Sequence, residues 1–210
     1  MRTRFASLLR RSLVLGAVAA VSALSAAAQN ITYTFTGVGS GTLGAQSFAS
    51  TGFSFSVTVP TASVDPAAFG VGTPGVKNLV MNFTINTVGS GTVSGAYVFN
   101  NKSAGVVGFG NTAKSDLINL RGLPGMATYD LVTAYGPQTA TGSNLFFSQF
   151  INLATSAGAL TMSSVATATF AATTGTPSDP GVIPEPSTYA LLGTGLIALG
   201  GIARRRRNNV

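Results

Sequence analysis

Apolar and hydroxyl residues alternate one for one along much of this chain, and that pattern leaves few folds open. From Ile31 to Gly37, the apolar Ile31, Tyr33 and Phe35 interleave with Thr32, Thr34 and Thr36. From Gly52 to Val59, Phe53, Phe55, Val57 and Val59 interleave with Ser54, Ser56 and Thr58, and Leu79, Met81, Phe83 and Ile85 repeat the pattern. A period of two sends successive side chains to opposite faces of a strand, so each segment has one face to bury and one to hydrate. Threonine suits the hydrated face because its branched Cβ fits the pleat. Val93 to Phe99 is expected to place Val93, Tyr97 and Phe99 on one side. Tyr129 to Thr133 and Leu160 to Phe170 read as further strands, the latter bulged where the phase slips near Ser163-Ser164.

Between these runs stand Gly, Pro, Asn and Ser clusters: Gly37 to Gly44, Asp65 to Gly75, Asn100 to Gly105, Gly122 to Gly125 and Gly136 to Ser143. They read as turns. Many strands at this spacing, each with one wet face, predict an all-β fold, an antiparallel β-sandwich of jelly-roll-like kind. One stretch breaks the pattern. In Asn144 to Leu153, the side chains Phe146, Phe147, Phe150 and Ile151 fit one side of a short helix, and one or two helical turns are expected there. The predicted body covers residues 29–172, and Thr173 to Gly181 reads as a Gly/Pro/Ser linker within 173–182. With no cysteine anywhere, no disulfide can brace the body, so its stability must come from one core.

Composition also removes most chemistry. Without histidine or cysteine, zinc fingers, Ser-His-Asp triads and thiol catalysis are excluded. A paired-carboxylate hydrolase needs two acids in one cleft, and before the linker there are only Asp65, Asp116 and Asp130. Asp65 precedes Pro66 and reads as a turn residue. Asp116 and Asp130 are left as a pair for which the alternatives to solvation are catalysis or calcium binding across neighbouring strands, although no EF-hand or Gly-Asp repeat accompanies them. Turn or edge solvation is the favoured reading of both. Gly39-x-Gly41-x-x-Gly44 matches the dinucleotide fingerprint by letter. A helix would have to follow Gly44, yet Ala45 to Val59 is strand-like, so a tight turn and a bulge explain the glycines better. Asn30, Asn82 and Asn101 each head an Asn-x-Ser/Thr triplet, and no glycosylation site is assigned. No catalytic residue, cofactor or metal is expected, and the chain reads as a non-enzyme.

The formal net charge of +7 belongs to the two extremities. Arg2, Arg4, Arg10 and Arg11 stand at the start, and Arg204 to Arg207 with Glu185 at the end. Between them, Lys77, Lys102, Lys114 and Arg121 balance Asp65, Asp116, Asp130 and Asp179. No basic patch with interleaved aromatics is left for nucleic acid. Residues 1–28 have the order of a secretory signal: arginines, the apolar Ser12 to Leu24, then Ala26-Ala27-Ala28, with cleavage expected between Ala28 and Gln29 after Sec export. A retained N-terminal span is the alternative, disfavoured by the alanine cluster. Arg10-Arg11 is a twin arginine by letter only, because its flanks do not fit that export signal.

Residues 183–210 carry three parts in fixed order. Ile183-Pro184-Glu185-Pro186 is stiff, since the prolines fix φ and bias Glu185 away from helix. Thr188 to Ala203 follows without a charge; at ~1.5 Å per residue it reaches about 24 Å as a helix, short of the ~30 Å hydrocarbon core. Snorkelling arginines and local thinning can close that gap. Arg204, Arg205, Arg206 and Arg207 then hold the C-terminus in the cytoplasm and the body outside the inner membrane. A buried core helix, a plain anchor and a processed anchor are the three readings, and the adjacent arginines speak against the first.

This ordered triple resembles the PEP-CTERM sorting signal of Gram-negative bacteria, with Ile183 where valine is more usual. The resemblance implies recognition at Pro184, Glu185 and Pro186 and removal of the tail by an exosortase, a membrane-embedded transpeptidase-like enzyme. It also implies an association with extracellular polysaccharide and biofilm. Tyr33 to Gly37, Gly41-Thr42-Leu43, Phe53-Ser54-Phe55, Ala127 to Leu131 and Gly136-Pro137 are similar to pieces of other PEP-CTERM bodies, and imply no activity. The expected protein is exported, held as an inner-membrane intermediate and delivered to the cell surface or the extracellular matrix. The rival is an envelope-anchored carbohydrate-binding module, for which only Tyr97, Tyr129 and Tyr135 offer rings.

Overall fold

A computed structural model describes residues 29–148, 150–175 and Thr194. The chain divides into two units, Ala28–Pro177 on the one hand and Met1–Ala27 with Ser178–Val210 on the other. Apart from Thr194, the second unit lies outside the described residues. So do the expected export segment with Ala28, the Pro184-Glu185-Pro186 motif, the apolar run and the arginine cluster. Gln29 is the first described residue and is exposed. Among the described residues no helix is long and apolar enough to cross a membrane.

The body is all-β and antiparallel, as the alternation predicts. Its strands are β1 (Asn30–Leu43), β2 (Gln46–Pro60), β3 (Gly75–Ile85), β4 (Gly89–Asn101), β5 (Val106–Asn111), β6 (Ser115–Arg121), β7 (Tyr135–Thr141), β8 (Leu145–Phe147), β9 (Leu153–Thr155) and β10 (Gly158–Thr174). They form one sheet in the order β7-β10-β1-β2-β3-β4-β5-β6-β8, with β9 paired to β10. Between β2 and β3 pairing shrinks to Phe53–Ser56 against Ile85–Asn82, which divides the sheet into two groups of strands. One layer is therefore β7, β10, β1 and β2, and the other is β3 to β6 with β8. The sheet is nearly closed, because β7 comes close to β6 and β8 close to β10.

The core fills the space between the layers. Ile31, Tyr33 and Phe35 are fully buried, and Phe53, Phe55, Met81, Phe83 and Ile85 nearly so. Phe35 of β1 meets Phe109 of β5 across the gap, with ring centroids 5.1 Å apart, and lies equally close to Phe170 of β10. Burying a large apolar side chain contributes roughly 1.5–3 kcal/mol, so a dozen such residues outweigh any single polar contact.

Apart from the length of β10, the structure departs from the sequence reading at five places. Gly37 to Gly44 is not a connector: β1 runs on to Leu43, and only Gly44 and Ala45 turn. Gly37, Gly39 and Gly41 sit where β10 comes very close, and a Cβ on Gly41 would stand 2.0 Å from the Thr161 carbonyl oxygen. The register of β1 on β10 shifts twice beside these glycines, which places irregularity where Ser163-Ser164 signalled it. In β4, Gly95 is an extra residue at φ +68, between the pairs Val80↔Ser94 and Leu79↔Ala96. The bulge reverses the expected phase. Val93, Ala96 and Val98 face the core, while Tyr97 is only half-buried. Gly136 to Ser143 is mostly the strand β7, paired to β10. The helical turns expected over Asn144 to Leu153 are replaced by a 3₁₀ turn at Gly142–Asn144 and by β8. There Leu145 to Phe147 take up the free edge of β6, so tertiary pairing overrides a weak local preference. β10 also continues to Thr174, paired with Ile31, into the first residues of the expected linker.

The fifth departure is Tyr129 to Thr133, a loop and not a strand. Its turn is made by Asp130, whose Oδ1 accepts hydrogen bonds from the backbone N–H of Val132 (3.0 Å) and from both N–H (3.2 Å) and hydroxyl (2.9 Å) of Thr133. The loop is nonetheless part of the core. Met126 and Leu131 are fully buried, Asn100 donates to the carbonyls of Met126 (2.9 Å) and Tyr129 (2.6 Å), and the Tyr33 hydroxyl donates to the Leu131 carbonyl. Burial disfavours the charge on Asp130, but the Val132 and Thr133 donors outweigh it and hold this carboxyl below its ordinary range.

Two outcomes follow from this packing. Gly41→Ala will cost about 1–3 kcal/mol in chemical denaturation through overpacking against backbone, whereas Gly89→Ala, whose Cβ meets only a Leu43 methyl group at 3.3 Å, will be close to neutral. Asp130→Asn will lower the thermal midpoint at neutral pH. Because the folded-state value is depressed, the wild-type advantage is present above ~3.9 and disappears as pH falls through the lower folded-state value; midpoints measured from pH 7 down to pH 2 will converge.

Candidate functional site

Of the sorting tail, the structure describes only Thr194, which is helical. What the body presents is set by a segregation of charge. The strands β1, β2, β7 and β10 contain no Asp, Glu, Lys or Arg. Among the described residues the charges are Lys77 on β3, Asp116 and Arg121 on β6, and Asp65, Lys102, Lys114 and Asp130 on the connections after β2, β4, β5 and β6. Within strands, charge is thus confined to β3 and β6, and the rest lies on connections, two of which, after β2 and β6, join the two layers.

Each acid weighed for chemistry has local partners. Asp65 Oδ1 accepts from the Ala67 N–H at 2.8 Å, the turn expected before Pro66. Asp116 accepts from the Tyr97 hydroxyl at 3.1 Å and from the Asn119 amide at 3.3 Å. Asp130 closes its own loop, so the structure gives Asp116 and Asp130 no common partner. Burial, with the Asp116 charge beside it, pushes the Tyr97 hydroxyl up to about 12; it stays protonated at neutral pH and acts as a donor. Among the described residues no group of three acidic or other ligating side chains gathers in a geometry for a metal ion. The Gly39-x-Gly41-x-x-Gly44 segment lies in β1 and its turn, and β2 follows where a helix would be needed.

The rings are engaged as well. Tyr129 is buried and stacks on Tyr135 with centroids 4.5 Å apart, and the Tyr135 hydroxyl donates to the Pro124 carbonyl. Tyr97 packs on Phe69 at 4.9 Å and on Phe99 at 5.9 Å, on the outer face of the charged layer. These three rings lie over glycines: Tyr97 over Gly110, Phe99 over Gly108 and Phe69 over Gly75. Lys77 Nζ stands 4.5 Å from the Phe69 ring centre. The expected placing of Tyr97 and Phe99 on one side holds, whereas the sequence reading does not include Phe69, which sits among turn residues; an apolar ring inside a Gly/Pro loop, as in Phe69-Gly70, is the available signal.

The hydrated positions have an order of their own, which runs from the charge-free strands on to β3 and β4. Register brings Thr139, Thr169, Thr36, Ser54, Thr84 and Ser90 into one row across β7, β10, β1, β2, β3 and β4. Thr34, Ser56, Asn82 and Thr92 make a second row, and Thr173, Thr32 and Thr58 a third. Neighbouring hydroxyls bond in place, Thr32 to Thr58 at 2.7 Å and Thr139 to Thr169 at 2.8 Å.

Comparison with protein families finds the PEP-CTERM protein-sorting motif at residues 182–207. Searches of curated proteins and of solved structures found no match. The matched segment starts one residue before Ile183 and ends on Arg207, and so contains Pro184, Glu185, Pro186, the apolar run and all of Arg204 to Arg207. The C-terminus of this chain is a PEP-CTERM protein-sorting motif, the mark of an exported protein that an exosortase sorts at the membrane and sends to the surface.

Proposed function

We propose that this chain is a non-enzymatic protein of the bacterial surface or extracellular matrix, delivered by a two-ended membrane address. The N-terminal segment directs Sec export and is cut between Ala28 and Gln29. The C-terminal span then halts in the inner membrane, with Arg204 to Arg207 in the cytoplasm, and Pro184-Glu185-Pro186 is presented outside as an extended substrate. The exosortase cuts near that tripeptide, and the body goes on to associate with exopolysaccharide. The observation that carries this reading is the match over residues 182–207, in which tripeptide, apolar run and arginines stand in the order that membrane sorting needs. A non-catalytic body is supported by the acids, each spent on local hydrogen bonds.

Mass spectrometry of the protein recovered from the native envelope and medium will find Gln29 as the first residue and a C-terminus between residues 183 and 187. An intact Val210 in the inner membrane would leave a plain anchor and remove the sorting step. Replacing Arg204 to Arg207 with serine will reduce the processed fraction several-fold, because the span then loses its cytoplasmic stop; processing at the wild-type level would show that the arginines do not set the topology.

A further inference from the structure

We propose that the connection between β2 and β3, residues 61–74, is a membrane-contact loop: Phe69 and Val71 dip into the interface of an anionic bilayer while the chain is still held there by its tail. The contact presupposes the span read in that tail and gives the body a partner surface of its own.

The loop is built as a projecting finger. Asp65 and Gly75 close its base through two mutual backbone bonds of 3.0 and 2.9 Å. Nearer the tip, the Phe69 N–H donates to the Thr73 carbonyl at 3.2 Å and the Thr73 N–H to the Gly70 carbonyl at 3.0 Å. From the end of β4 and the residue after it, the N–H groups of Asn100 and Lys102 donate to the carbonyls of Pro74 (3.0 Å) and Gly72 (3.1 Å). Backbone groups paired in this way meet the demand of a medium poor in water. The Phe69 ring rests on Tyr97 at 4.9 Å and on Phe99 at 6.1 Å, which fixes the finger to the sheet. Val71 stands fully exposed at the tip, between Gly70 and Gly72, both at positive φ with open space around them.

The chemistry of the tip selects the partner. Val71 has no flat face for a sugar ring and no side-chain donor or acceptor for a polar ligand. Two apolar side chains on a convex tip cover far less than the ~800 Å² that each side of a stable protein interface buries. A bilayer interface surrounds such a tip with apolar medium and needs no matching shape. Cations stand where headgroups would lie. Lys77 Nζ is 4.5 Å from the Phe69 ring centre, and Lys102 adjoins the tip through its bond to Gly72. Lysine stems lie along apolar groups and keep the ammonium at the level of the phosphates, where anionic lipid attracts it. The acid of this loop, Asp65, is at the base, with Oδ1 taken by the Ala67 N–H.

Position in the body agrees with this partner. Thr61, which opens the loop, donates to the Gln29 carbonyl at 2.8 Å, and Gly175, the last described residue of the body, donates to the Asn30 carbonyl at 3.0 Å. The chain therefore leaves the body beside this loop. Residues 176–187 separate Gly175 from the apolar run, and fully extended they reach at most about 40 Å. A finger too weak to bind from solution then meets the bilayer at high effective concentration.

The chain has no cysteine, so Val71→Cys accepts a single environment-sensitive fluorophore. The full chain is reconstituted in vesicles of phosphatidylcholine with phosphatidylglycerol. The probe at residue 71 will shift to the blue, and doxyl-labelled lipid will quench it at least about threefold more than a probe at Ala113→Cys, on the exposed turn between β5 and β6 at the opposite end of β5. Ala67→Cys, a second exposed position on the loop, will give a shift of the same sign. Lys77→Gln/Lys102→Gln, or vesicles of phosphatidylcholine alone, will lower the quenching at residue 71 about threefold. Equal quenching at residues 71 and 113, a blue shift that doxyl lipid does not quench (the mark of a protein contact), or indifference to both the lysines and the lipid charge would each overturn the proposal. Vesicle flotation reads the span separately. A chain that floats with residue 71 in water removes the loop contact alone, and one that does not float removes the span as well.

Discussion

The packing of Phe35 between Phe109 and Phe170 is the contact on which the body depends. These rings come from β1, β5 and β10, so they tie the two layers together and tie the first strand to the last. No disulfide or metal cluster assists them among the described residues. A chain this poor in charge cannot draw on ion pairs either, and exposed pairs contribute little in any case. The free energy must come from apolar area removed from water. That requirement explains why the inward positions of β1, β2 and β3 are filled so consistently with Ile, Phe, Tyr, Met and Val.

The same requirement shapes the polar groups that are buried. Asn100 has no exposure, yet its amide holds the carbonyls of Met126 and Tyr129. Tyr33, fully buried, donates to Leu131. Both donors reach the connection between β6 and β7, and together with Asp130 they fold that connection inward as part of the core. An irregular segment inside a core leaves backbone carbonyls that need donors, and those side chains supply them. Burial raises the Tyr33 and Tyr129 hydroxyls well above their ordinary value, so both stay neutral across the physiological range, and Tyr33 keeps the proton it donates to Leu131.

Much of this fold was legible in the alternation alone. β1, β2, β3 and β10 lie where the period of two placed them, and their inward residues are the ones the pattern named. Some misses depended on a partner strand that the local sequence does not mention, and others on a single bulge or turn residue. β8 is a strand only because the edge of β6 was free for Leu145 to Phe147. Gly37 to Leu43 looked like a turn because glycine is a turn residue, whereas here it answers the close approach of β10. The phase of β4 was lost at Gly95, where one inserted residue reverses every side chain after it. The sorting tail was the opposite case. Its order of stiff tripeptide, apolar run and arginines is linear, is read by a membrane and an enzyme along the chain, and needs no fold to be seen.

That contrast also separates the two kinds of information in the chain. Charge is concentrated at the extremities. In the body it is confined to one layer and its connections. A protein selected only for solubility has no reason to remove charge from four complete strands, since scattered lysines and acids would hydrate the surface and guard the sheet against edge pairing. Removing them leaves a face on which the one remaining polar chemistry is the hydroxyl group. Register then sets those hydroxyls side by side across strands that are far apart in sequence, Thr36 beside Thr169 and Thr169 beside Thr139. The order on that face is therefore a product of the tertiary fold.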